Sequence, residues 1–323
     1  MLRACVAVLA ATIALSAAAA AAKPPALPQA AGHQKVTVVA RGVPTPTEFA
    51  FFAGQLFVSA YGADGHPNVR GGLYLLRDGK AVRVPGSPKH VFGVAVGKHA
   101  LYLSTSLSLL AWSDWDGTRF RTRRVIHTPE TFGTYKGPAV GPDGLIYIGA
   151  NTSPAPTSAQ PISDSLVTIN PATGAAKTIA VGMRQPWMPV FVPGRALPLL
   201  SDLNQDDLGP NRPPDYLLAI TQGANYGFPT CPANQKSCAN YTQPLVQFRA
   251  HASPMGLAYL KGKLYIALYG GLGKGPLVVS MPPTGGKPTT FISGFPAGVI
   301  ALGTAGGSLY AGDESGAIYR VMP

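Results

Sequence analysis

Side chains suited to chemistry are unevenly spread along this 323-residue sequence. Between positions 182 and 274 lie Arg184 and Gln185, the oxygen-rich run Ser201-Asp-Leu-Asn-Gln-Asp-Asp207, then Asp215, Cys231, Cys238, His251 and Lys274. Oxygen donors gathered in one loop suit a hard cation such as Ca²⁺. Histidine exchanges a proton near neutral pH, and arginine and lysine hold anionic groups. Cys231 and Cys238 are the only cysteines besides Cys5, and positions 232–237 between them hold no His or Cys to complete a metal site. An even pair of this kind reads as a disulfide.

Each of these residues also has an ordinary use. Arg184 pairs as well with a loop carboxylate such as Asp202. His251 satisfies a loop carbonyl, Lys274 is a solvated loop lysine, and Asp206 and Asp207 cap turns in a proline-rich loop. Trp187 and Tyr226 serve either as pocket walls or as filler between elements.

The elements that must position them show a repeat. Gln55-Leu-Phe57-Val58 recurs as Ala100-Leu-Tyr102-Leu103, Leu145-Ile-Tyr147-Ile148, Lys263-Leu-Tyr265-Ile266 and Ser308-Leu-Tyr310-Ala311. The pitch is roughly 45 residues, the length of one four-stranded propeller blade. The clearest copy turns at Asp143-Gly144 and again at Ala172-Thr-Gly174 between β-branched runs, as hairpins do. Copies are expected at Glu48 to Val84, Val91 to Val125, Gly137 to Val181, Pro186 to Ile220, Pro254 to Ile292 and Gly298 to Val321. The last copy is one strand short, and the β-branched run Gln34-Lys-Val-Thr-Val-Val-Ala40 is available to complete it. The expectation is an all-β, six-bladed β-propeller of four-stranded blades, with the N-terminal strand closing the last blade and removing its open edge. The step from Tyr147 to Tyr265 leaves room for an insertion, expected over Gln222 to Ala252, between the fourth and fifth copies.

The first residues give a basic start, an apolar run and an Ala-rich tract, the pattern of a secretory signal. The organisation expected is therefore a signal peptide over 1–22, a flexible leader over 23–33 and a single domain over 34–323, in a secreted or periplasmic protein. No later apolar run is long enough to span a bilayer. The formal charge is +12, from 26 Lys and Arg against 14 acidic residues. Those cations are scattered, and the densest cluster, Arg119-Phe-Arg121-Thr-Arg123-Arg124, alternates between two faces of a strand. A nucleic-acid partner is not expected; a monomer acting on a small molecule is.

Four segments occur in order: Gly182-Met-Arg-Gln-Pro-Trp187, the loop from Ser201 to Asp215-Tyr-Leu217, Gly223-Ala-Asn-Tyr-Gly-Phe-Pro229, and His251-Ala-Ser-Pro-Met-Gly256. In order and wording they resemble the glucose/sorbosone dehydrogenase family, with Gly-Ala-Asn-Tyr-Gly-Phe-Pro the most specific match. The resemblance covers roughly residues 130 to 321 and implies an exported six-bladed propeller. It further implies oxidation of a sugar or aldehyde with pyrroloquinoline quinone (PQQ) beside a calcium ion. It places Arg184, Gln185 and Lys274 at the cofactor, and the loop residues Asp202, Asn204 and Gln205 at the calcium, through main-chain carbonyls. The family's catalytic histidine precedes a Gly-Pro-Asp-Gly turn. That turn is present at Gly141 to Gly144, yet no histidine occurs from 128 to 151, which leaves His251 as the nearby candidate base. Asp215-Tyr-Leu217 likewise stands where the family has Asp-Glu-Leu, one carboxylate fewer. Two alternatives follow: a non-catalytic propeller that binds a ligand or partner, or a lactonase. The second rests on Glu48, Asn151 and Asp202, whose order resembles the single-cation ligands of metal-dependent lactonase propellers.

Overall fold

A computed structural model describes residues 26–32, 34–63, 69–128, 133–152, 164–231 and 238–323. The expected signal segment lies outside them. The described residues form strands and no α-helix, so no helix is long and apolar enough to cross a membrane. Six antiparallel sheets are arranged as the blades of a propeller. Their innermost strands are β3 (Pro46–Phe52), β7 (Gly93–Val96), β11 (Gly133–Val140), β15 (Gln185–Val190), β19 (Pro254–Leu260) and β23 (Val299–Ala305). Each packs on the next, and β23 packs on β3, so the ring is closed.

Blades stack because each has two apolar faces. In β12 (Ile146–Thr152), Ile146, Ile148 and Ala150 pack toward the second blade, while Tyr147 on the opposite face packs toward the fourth. A strand buried on both faces reads as a continuous apolar run, which is why the repeat is legible. The six apolar clusters correspond to the six blade interfaces. The repeat aromatics Phe57, Tyr147 and Tyr265 are buried, whereas Tyr102 and Tyr310 are half-buried.

The closure is as expected: β2 (Thr37–Ala40) pairs antiparallel with β25 (Ile318–Val321) as the outermost strand of the sixth blade. Two expectations are corrected. The leader is not wholly free, because β1 (Gln29–Ala30) pairs with β22 (Thr289–Ser293) and gives the fifth blade an extra strand. Nor does the insertion separate two blades. The fourth blade continues past it: β17 (Tyr216–Ala219) pairs with β18 (Val246–Gln247), so the long segment between them is a loop within the blade. The two-residue β18 lacks the aromatic alternation that marks the other strands. Within that loop Cys231 and Cys238 form a disulfide, as anticipated.

Candidate functional site

All innermost strands begin at one end of the central channel, and the loops entering them converge there. The loop motifs place their residues at this mouth. Gly223-Ala-Asn-Tyr-Gly-Phe-Pro229 acts as a strap on the end of β14 (Ala176–Val181). Val181 N–H donates to Ala224 O, Tyr226 N–H to Val181 O, and Phe228 N–H to Gly182 O, at 2.9, 3.0 and 3.0 Å. Gly182 lies in the left-handed region (φ 78°), and a Cβ there would collide with Asn225. The strap thereby fixes the turn that carries Met183 and Arg184. Tyr226, with its hydroxyl donating to Ala219 O, is filler between blades.

Arg184 reaches Asp206, not Asp202: its Nη2 lies 3.3 Å from Asp206 Oδ2, and its Nη1 donates to Gln185 Oε1 at 2.9 Å. Asp206 is therefore a bridge and not merely a turn cap, for its other oxygen lies 3.4 Å from His251 Nδ1. His251 Nε2 faces Gly209 O at 3.0 Å. A carbonyl can only accept, so Nε2 donates to it, and Nδ1 is turned to the Asp206 carboxylate. His251 thus fulfils the ordinary use of satisfying a loop carbonyl.

The expected metal residues are held by their own surroundings. Asp202, at the end of β16 (Leu199–Leu203), is buried and accepts Gln185 N–H at 2.8 Å. Burial pushes its carboxyl up to about 8, and the nearby Asp215 charge adds to the effect. Asn204 Oδ1 accepts Gln205 N–H, and its amide donates to Pro214 O. Asp215 ties two loops together, accepting Asn204 N–H at 2.7 Å and Ser253 N–H at 2.8 Å, and burial raises its carboxyl also. Among the described residues no three His, Cys, Asp or Glu side chains gather around one point. Lys274 is exposed in the loop after β20 (Lys263–Leu268) and makes no hydrogen bond or ion pair with a described residue.

Glu48, Asn151 and Asp202 are held separately, in three blades. Glu48 Oε2 accepts Val94 N–H at 2.8 Å, Asn151 Oδ1 accepts the Thr134 hydroxyl at 2.8 Å, and Asp202 is committed to Gln185. Glu48 also lines the channel itself, a cavity of about 440 Å³ that runs past Phe51, Val140, Phe191 and Tyr259.

One residue at the mouth was not anticipated. Lys136, on β11, is only 6% exposed, and no described carboxylate pairs with it. Its Nζ lies 4.6 Å from the centre of the Phe92 ring and 5.2 Å from that of Trp187. Such a box stabilises a cation in part. Burial and the Arg184 charge pull the lysine down to about 8. The Trp187 indole N–H is buried and has no acceptor among the described residues, while its ring packs in the interface of the fourth and fifth blades. The available signal was a lysine in the otherwise small and apolar strand Gly133-Thr-Tyr-Lys-Gly-Pro-Ala-Val140.

No protein-family model matches the sequence, and no curated protein does. Solved structures match the fold. A putative oxidoreductase (glucose dehydrogenase) of Thermus thermophilus superposes with a TM-score of 0.73 at 17% identity, over 89% of this chain and 99% of that one. The PQQ-bound aldose sugar dehydrogenase of Streptomyces coelicolor gives 0.70 at 19% identity, over 92% and 99%. The calcium structure of a Trichoderma reesei family AA12 carbohydrate-active enzyme gives 0.71 at 17%, over 91% and 96%. The chain has the fold of these three structures. In this propeller, Lys136 and Trp187 stand on the innermost strands of the third and fourth blades, and Arg184 immediately precedes the latter.

Proposed function

We propose that this chain is an exported propeller that holds PQQ and a calcium ion at the channel mouth and oxidises a sugar or an aldehyde there. The observation that carries the reading is Lys136. A buried cation without a counter-ion, beside a second cation and an unpartnered indole N–H, is an arrangement that an anionic ligand completes. The donor set fits a flat, carboxylate-bearing cofactor: Arg184, Lys136 and the Trp187 N–H would hold it, with Gln185 and the exposed Lys274 at its rim. When bound, the quinone supplies the hydride acceptor. Calcium would take carbonyls of the loop from Asp202 to Gln205, and the desolvated carboxyls Asp202 and Asp215 would favour a nearby cation. The residues of the mouth bind and orient the substrate, and the aromatic rings exclude water from the reacting centre. Export is supported by the N-terminal pattern and the Cys231–Cys238 disulfide.

The test is to load the purified chain with PQQ and Ca²⁺ and follow dye reduction over aldoses and aldehydes, alongside PQQ retention. The variant Lys136→Met is expected to weaken PQQ retention by about tenfold or more. It should leave the ligand-free thermal midpoint at or above the parent's, because it removes an uncompensated buried charge. A lower midpoint with unchanged PQQ retention would make Lys136 a structural residue and remove the support.

A second reading, a propeller that binds its ligand without oxidising anything, is favoured by the absence of a histidine from 128 to 151. Tight PQQ retention without dye reduction would establish it.

A further inference from the structure

The mouth carries a second histidine whose hydrogen bonding is the reverse of that of His251. His90 lies on the connection from β6 (Lys80–Arg83) to β7, which crosses the mouth from the edge of the first blade to the axis of the second. Its Nδ1 lies 2.8 Å from Tyr61 O. A carbonyl can only accept, so Nδ1 carries the proton, and the neutral ring keeps its lone pair on Nε2. No described residue bonds Nε2, and the half-buried ring leaves it open.

The surroundings are organised. The His90 ring packs against Tyr61 at 4.9 Å between centroids, and Tyr61 packs against Phe92 at the same separation. Phe92 is the ring that faces Lys136. His90, Tyr61, Phe92, Lys136 and Trp187 thus form one continuous row of contacts across the mouth, from the first blade to the fourth. One end holds an anion site; the other presents an open, tautomer-fixed nitrogen.

We propose that His90 is the proton acceptor of this site. The proposal rests on the dehydrogenase reading above. In the step, the substrate's carbinol O–H proton would pass to His90 Nε2 while the carbinol C–H is given up as hydride to the quinone, which would supply the two-electron acceptor, and the C–O bond would become a carbonyl. The imidazolium then returns its proton to water. The Tyr61 carbonyl keeps Nδ1 protonated, so Nε2 is the atom that cycles. A base supplied from the loop before β7 accounts for a sequence with no histidine between 128 and 151, where the resemblance would place one.

Two measurements test it on the full chain. The first needs no turnover: diethyl pyrocarbonate labelling, read by mass spectrometry, should modify His90 faster than His251 in the ligand-free protein. PQQ with Ca²⁺ and D-glucose should slow it at His90. Labelling of His90 no faster than of His251, or no protection, would overturn the assignment. The second compares the loaded parent with His90→Asn, whose amide can still donate to Tyr61 O. The variant should bind PQQ unchanged and lose about 10²–10⁴-fold in kcat with a much smaller change in KM. Equal kcat in parent and variant would reject His90 while leaving the dehydrogenase reading intact. A loaded parent that reduces no dye over the whole aldose panel would reject that reading, and the proton-transfer role with it.

Discussion

Glu48 projects from β3 into the channel against bare backbone: a Cβ on Gly93 would stand 2.5 Å from its Oε2, and one on Gly137 3.3 Å. Burial raises its carboxyl well above the ordinary value, and the single hydrogen bond from Val94 N–H offsets this only in part. The sign of the linked stability follows. Below the unfolded value of 4.5 the group is protonated in both states and costs nothing. As pH rises through that value, the unfolded chain loses the proton and the folded chain keeps it, so stability falls until the folded value is reached. Glu48→Gln keeps an acceptor for Val94 and cannot ionise. Its thermal midpoint should match the parent's near pH 4 and exceed it increasingly toward pH 7, by roughly 2–4 °C for each kcal/mol relieved. Parallel midpoint curves across that range would show that Glu48 is not desolvated. Neither this carboxyl nor Lys136 announces its state in the sequence, because a charge on an innermost strand looks like any other polar residue until the ring around it closes.

The blades themselves were legible because their second strands are buried on both faces, and the pitch of Phe57, Tyr102 and Tyr147 survives whatever the loops do. What the pitch could not convey was the route of the fourth blade, since β18 is two residues long and lies beyond a loop that outweighs it. The motif resemblance placed Arg184 at the mouth, and the strap of residues 223–229 explains how. It missed Lys136 and His90, which belong to strands and connections without motif character. Blade packing also depends on missing side chains. At Gly149, on β12, a Cβ would drive into Pro186 O of the neighbouring blade, closer than real contacts allow. Backbone cannot step aside as a flexible side chain can, so Gly149→Ala should cost about 2–3 kcal/mol. Because the displaced Pro186 adjoins Gln185 and Trp187, PQQ retention should fall with it. Urea unfolding measures the first effect. An alanine variant as stable as the parent would mean that the third and fourth blades are less tightly joined than this contact requires.

A ring of six sheets holds together only if its two ends meet, and here, besides the packing of β23 on β3, a four-residue strand ties them. Thr37, Val38 and Ala40 pair with Arg320, Tyr319 and Ile318. Val36, just before that strand, is buried in the interface of the fifth and sixth blades, and Ala40 in that of the sixth and first. β1 adds only two residues at the rim of the fifth blade, Gln29 and Ala30 opposite Ser293 and Ile292. The two N-terminal strands should therefore contribute very unequally. A chain beginning at Gln34 loses β1 alone and should unfold close to the parent. One beginning at Arg41 loses β2 as well, exposes the unpaired edge of β25, and uncovers the apolar surface that Val36 and Ala40 seal. Its midpoint should drop by about 10 °C or more, with self-association through the open edge. A peptide of residues 34–41 should restore much of the loss by adding back as a strand. Differential scanning calorimetry of the three chains, with and without peptide, decides it. Equal midpoints for the two truncations would mean that the blade interfaces alone hold the ring and that β2 closes nothing.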